Sequence, residues 1–147
     1  MIYLVLKHAH SIFRWLVLAG MVFIILRSAL FLVKPWKEGT SGKKLVSLAL
    51  SALHIQVLLG IILYFISPKV IFSAASMSNH LLRFYLVEHI FLMIIAAALI
   101  TFGIVYSKKT ITPNKQHIRL LIFTLAGLFI IFFSIPWPWR HLAGGWF

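Results

Sequence analysis

Cysteine is absent from this 147-residue chain, and only two residues are acidic, Glu38 and Glu88. Without thiols there is no disulfide, no thiolate metal ligand and no c-type haem attachment motif. Charge is scarce as well: 11% of residues are charged and 62% apolar, with a mean hydropathy of +1.02. A soluble domain has about 25% charged residues, so a soluble class is excluded. Internal repeats and low-complexity linkers are lacking, and so is a small-x-small cleavage pair between Trp15 and Val33. The N-terminal run therefore reads as a first span and not as a cleaved leader.

What the chain does have is long apolar runs. Residues 45–68 and 120–139 carry no formal charge, 84–107 carries only Glu88, and 11–33 carries Arg14 and Arg27 near its ends. A hydrocarbon core takes about 20 helical residues to cross. The expectation is an all-α integral membrane protein, a single domain of four antiparallel transmembrane helices over approximately 11–33, 45–66, 83–106 and 119–137. Pro35, Pro68 and Pro113 sit just beyond spans, and Pro136 and Pro138 are placed to stop the last one. Lysines crowd the first loop (Lys34, Lys37, Lys43, Lys44), and Lys108, Lys109, Lys115 and Arg119 follow in the third. The second loop holds only Lys69 before Arg83. The positive-inside rule then makes loops one and three cytoplasmic and leaves both termini outside, here on the periplasmic side of a bacterial inner membrane. Because the cations sit at membrane boundaries, the net charge of +12 does not call for nucleic acid. Trp137, Trp139 and Trp146 suit an interfacial belt, and His8, His80, His117 and His141 read as solvated boundary residues.

Ionisable groups within such spans are costly and tend to mark function. Arg14, His54, Glu88 and His89 qualify, and His10 joins them if the first helix begins before Ser11. At 1.5 Å per residue, Arg14 lies about 5 Å below the outer boundary, Glu88 and His89 about 8–9 Å, and His54 about 18 Å. Arg14 and Glu88 are at similar depth, so an ion pair between them is expected. His10 and Arg14 share a helical face. Ser47, Ser51 and His54 form a polar stripe expected to face protein, and Gln56, Gly60 and Tyr64 form a second one. Tyr85, His89, Met93 and Ala96 share a face of the third span, and Thr124, Gly127 and Ser134 mark the packed face of the fourth.

This donor set points to haem b as the candidate cofactor, since haem iron accepts axial imidazole. His54 and His89 are the candidate ligands, His10 is the rival, and Arg14, Arg83 or Arg140 could meet the propionates. Phe84, Phe91 and Trp15 would supply an apolar lining. A quinone held by histidine, Glu88, Gln56 or Tyr64 is the other candidate ligand. A free zinc or copper site lacks ligand spacing, and hydrolysis lacks a nucleophile–base arrangement.

The elements His10-Ser-Ile-Phe-Arg14-Trp15, His54-Ile-Gln56 with Gly60 and Tyr64, Val87-Glu88-His89, and the terminal Pro-Trp-Pro-Trp-Arg140 and Gly-Gly-Trp-Phe147 segments recur together in one family. In them the chain resembles short bacterial four-helix membrane proteins labelled cytochrome b-like. The resemblance covers nearly the whole chain and implies haem and electron transfer. It departs from the four-helix di-haem cytochromes b, whose first helix places arginine before a His-Trp pair, whereas here His10 precedes Arg14-Trp15. The expected function is a membrane b-type cytochrome exchanging electrons, with quinone as a candidate partner. The alternative is a non-enzymatic accessory or scaffold subunit of a respiratory or other membrane complex, and proton handling through Glu88 is a third class.

Overall fold

A computed structural model describes every residue except Glu38, Ala143 and Phe147. Four long helices pack as a bundle: α1 (Ile2–Val33), α2 (Thr40–Ile66), α3 (His80–Lys108) and α4 (Pro113–Ser134). All four are long and apolar enough to cross a bilayer, which makes this a multi-pass membrane protein. The first helix starts at Ile2 and not near Ser11, because Lys7, His8 and His10 do not interrupt its backbone pairing. The last helix stops at Ser134, where the following Ile135 is extended with ψ 132°, as a residue before proline must be. A short 3₁₀ turn, Ala74–Ser78, lies in the α2–α3 connection.

The inward faces follow alternating steps of three and four. Val17, Met21, Ile24, Ser28 and Phe31 are buried on α1, and His117, Leu120, Thr124, Gly127, Ile131 and Ser134 on α4. Lipid is as apolar as leucine, so helices in it are held by close packing and polar bonds. A Cβ added at Gly20 would stand 2.8 Å from that of Ala49, fixing the α1–α2 approach. Gly103 against Phe123, and Gly127 against Ile100, do the same for α3 and α4. Gly127→Val is expected to cost about 1–3 kcal/mol, the usual penalty of overpacking. Thermal unfolding in detergent measures it, and an unchanged midpoint would show the seam to be loose.

Three expectations change here. His117 is not solvated: it is fully buried and stacked on Phe31, ring centroids 4.0 Å apart. It opens the inward stripe of α4, which starts earlier than the apolar run suggests. Trp137 is also buried, and its indole donates to the Phe132 carbonyl at 2.8 Å, leaving Trp139 and Trp146 as the exposed members of the expected belt. The stripe Ser47, Ser51, His54 faces outward, since α2 packs through Val46, Ala49 and Leu53. The Ser51 hydroxyl is satisfied by the Ser47 carbonyl at 3.1 Å.

Candidate functional site

Both ends of the chain and the α2–α3 connection lie at one face of the bundle, here called the terminal face, opposite the lysine-rich loops. In that half the helices enclose a cavity of about 210 Å³, lined by His10, Arg14, Gln56, Tyr64, Tyr85 and His89 among mostly apolar neighbours. All six lie on the helical faces read in the sequence. Lys7 and Lys69 also line it. Sequence reasoning missed both, because they lay outside the expected spans.

His89 reaches the cavity through an unusual helix end. The last four carbonyls of a helix lack intrahelical partners, and neither Pro136 nor Pro138 has an amide proton to offer. Instead Ile135 N–H donates to Ile131 O at 3.0 Å, Trp137 Nε1 to Phe132 O, Arg140 Nη1 to Phe133 O, and His89 Nδ1 to Ser134 O at 2.7 Å. Every terminal carbonyl is thus met, three of them by side chains. Donation from Nδ1 fixes the tautomer of His89 and leaves Nε2 with a lone pair.

His10 comes from α1. The Gln56 amide nitrogen donates to the His10 carbonyl at 3.0 Å and faces His10 Nε2 at 3.3 Å. Nε2 is therefore the acceptor and Nδ1 carries the proton. Gly60 provides the room, since a Cβ there would stand 3.2 Å from His10 Cε1. His10 Nδ1, Arg14 Nε and Gln56 Oε1 are buried without a partner among the described residues. Buried polar groups are normally satisfied, so these three call for a polar guest.

Arg14 is not paired with Glu88. Its Nη2 donates to Trp146 O at 2.6 Å and Gly145 O at 3.3 Å, tying the chain's last segment across the cavity between Trp15 and Trp137. Trp15 Nε1 donates to the same Trp146 carbonyl at 3.2 Å. Glu88 instead bonds Arg83 at 2.8 Å. At 3.6 residues per turn, positions five apart point in different directions. Phe84–Glu88 is a π turn, whose wider i→i+5 closure brings Arg83 alongside Glu88.

His54 lies outside the cavity, exposed on α2, with Nε2 3.1 Å from Thr101 Oγ1 on α3. Thr101 gives its own proton to Ala97 O at 2.7 Å, so His54 donates. Phe84, Phe91 and Trp15 do not line the cavity among the described residues. Arg83 and Arg140 are taken up by Glu88 and by main-chain carbonyls. Among the described residues, no three histidines or acids gather as a metal-ion site.

At the cavity's mouth Lys69 Nζ donates to Tyr85 Oη at 3.4 Å, and Tyr85 Oη donates to Leu142 O at 2.9 Å. Burial, and then the neighbouring Lys7, lower the pKa of Lys69 from its ordinary 10.5. Below that lowered value the folded protein carries the full cost of the ammonium, and the cost disappears as pH rises through it toward 10.5. Stability is therefore expected to increase across that interval, and Lys69→Met to flatten the rise in a melting-temperature profile. Parallel profiles for the two proteins would refute the coupling.

The fold and cavity define a multi-pass membrane protein with a polar-headed, apolar-walled cavity in one half of the bundle. Comparison with known families, characterised proteins and solved structures finds no match.

Proposed function

We propose that the cavity binds the oxygen-bearing ring of a membrane quinone or quinol, and that the protein serves electron transfer in a bacterial inner membrane. The reading rests on one observation: His10, Arg14 and His89 line the same cavity, His10 Nδ1 and Arg14 Nε being donors without a partner among the described residues and His89 Nε2 an acceptor. Its volume suits one ring, for a cavity of about 150 Å³ already takes benzene. A quinone couples electron transfer to proton transfer. His10 and Arg14 donate to the carbonyl of the oxidised ring, and His89 Nε2 accepts the hydroxyl proton of the reduced one. A partner subunit or carrier supplies or takes the electrons. The lysine-rich loops set the orientation, cytoplasmic by the positive-inside rule, which puts the cavity in the periplasmic half.

Haem b is the second reading. The bond from His89 Nδ1 to a main-chain carbonyl is the kind that orients an axial ligand, and Arg14 suits a propionate. His10 fits less well, because its Nε2 lone pair is directed at Gln56. His89 would hold the iron and Arg14 a propionate, while His54 does not face the cavity.

Titration of the protein in nanodiscs with a decyl-tailed dimethoxy-methyl-benzoquinone is expected to show saturable binding above that of empty discs. Absence of that excess would defeat the quinone reading. A Soret band in protein made with ample haem would favour the second reading. Colourless protein that ignores quinone and co-purifies with larger subunits would favour the accessory role.

A further inference from the structure

The α2–α3 seam is built unlike its neighbours. Glycines close the α1–α2 and α3–α4 approaches, whereas among the described residues α2 and α3 are held by two hydrogen bonds some distance apart. Toward the lysine-rich side, His54 Nε2 donates to Thr101 Oγ1. Toward the terminal face, the Tyr64 hydroxyl donates to Leu86 O at 3.0 Å, within the π turn. From position 54 to 64 the helix rises about 15 Å. Over that length the seam is flanked by Val57, Gly60 and Ile61 on α2 and by Ile90, Met93 and Ile94 on α3, and all six line the cavity. Ile61 and Ile94 are also exposed on the bundle's outside, at 37% and 47%. Cavity wall and lipid-facing surface therefore meet between these two side chains.

We propose that this seam is a lateral portal through which the cavity takes its ligand from the bilayer, and that the ligand carries a long apolar tail lying between Ile61 and Ile94. The proposal rests on the ring-binding reading of the cavity and adds the class of ring it selects. Helices in lipid adhere through small residues or polar bonds, and apart from Gly60, whose open side meets His10 of α1, the seam residues named between the two staples are bulky and apolar. An isoprenoid or alkyl chain fills such a gap without desolvating any polar group. The portal also accounts for His54: an imidazole is expensive in a membrane helix, and its bond to Thr101 sets the inner edge of the opening.

The test compares two probes by calorimetry in nanodiscs, dimethoxy-methyl-benzoquinone without a tail and its decyl-tailed form. Ile61→Trp with Ile94→Trp is expected to weaken binding of the decyl form by about tenfold more than it weakens binding of the tail-less form. Both side chains are exposed, so no fully buried core residue is replaced. Ile61→Ala with Ile94→Ala is expected to speed association of the decyl form more than that of the tail-less form, an independent check should the tryptophan variant not fold. Equal losses for both probes, or unchanged decyl binding, would overturn the portal and leave the ring site standing. If the wild type binds neither probe, the ring-binding reading falls and the portal with it.

Discussion

His89→Leu is expected to lower quinol affinity in nanodiscs by about a hundredfold. The residue is the acceptor on the cavity wall, and its Nδ1 also satisfies Ser134 O. Leaving a buried polar group without its partner costs about 1–3 kcal/mol, and each 1.4 kcal/mol is about tenfold in affinity. Two groups are stranded by this change, the ligand's hydroxyl and the Ser134 carbonyl, so a loss in melting temperature accompanies the loss of binding. His54→Leu separates the two histidines. It removes a staple outside the cavity and is expected to leave affinity for the tail-less ring unchanged. Wild-type affinity in His89→Leu would remove that residue from the site.

The second large effect comes from two prolines that act through His89, one of which, Pro136, also lines the cavity. Pro136 holds Ile135 extended, and Pro136 and Pro138 together withhold the amide protons that would continue α4. The Ser134 carbonyl is available to His89 for that reason. Pro136→Ala with Pro138→Ala restores both donors, lets the helix run on, and puts a main-chain amide in competition with the imidazole. The nitrogen chemical shifts of His89 are expected to change from a pure Nδ1–H tautomer to a mixture in the variant. Quinol affinity is expected to fall by about tenfold, since only the fraction with Nε2 bare accepts its hydroxyl proton. A double variant that keeps the pure Nδ1–H signature would show that the prolines do not position His89.

Much of the bundle was legible because crossing a bilayer is a local property: an apolar run of sufficient length is enough. The stripe Gln56, Gly60, Tyr64 and the face Tyr85, His89, Met93 were legible from helical periodicity, and both line the cavity. Other expectations depended on how each helix is turned about its axis. Hydropathy carries little information on that in a membrane, since lipid-facing and core-facing positions are both apolar. That is how the stripe containing His54 came to face outward, and how His117 and Trp137 came to be buried. Glu88 illustrates a different limit. Its partner is set by a π turn, an inserted residue that periodic reading at 3.6 per turn does not register.

The sequence by itself determined the class of protein, the four spans and the small set of polar residues that a membrane helix would not carry idly. Only the tertiary structure decided which of them meet. Convergence of His10, Arg14, Gln56 and His89 depends on helix rotation, on glycine-controlled approach and on the proline-capped end of α4, all of them relations between segments distant in the chain. Spans follow from the free energy of transferring one segment into lipid, whereas a site follows from the packing of four against one another.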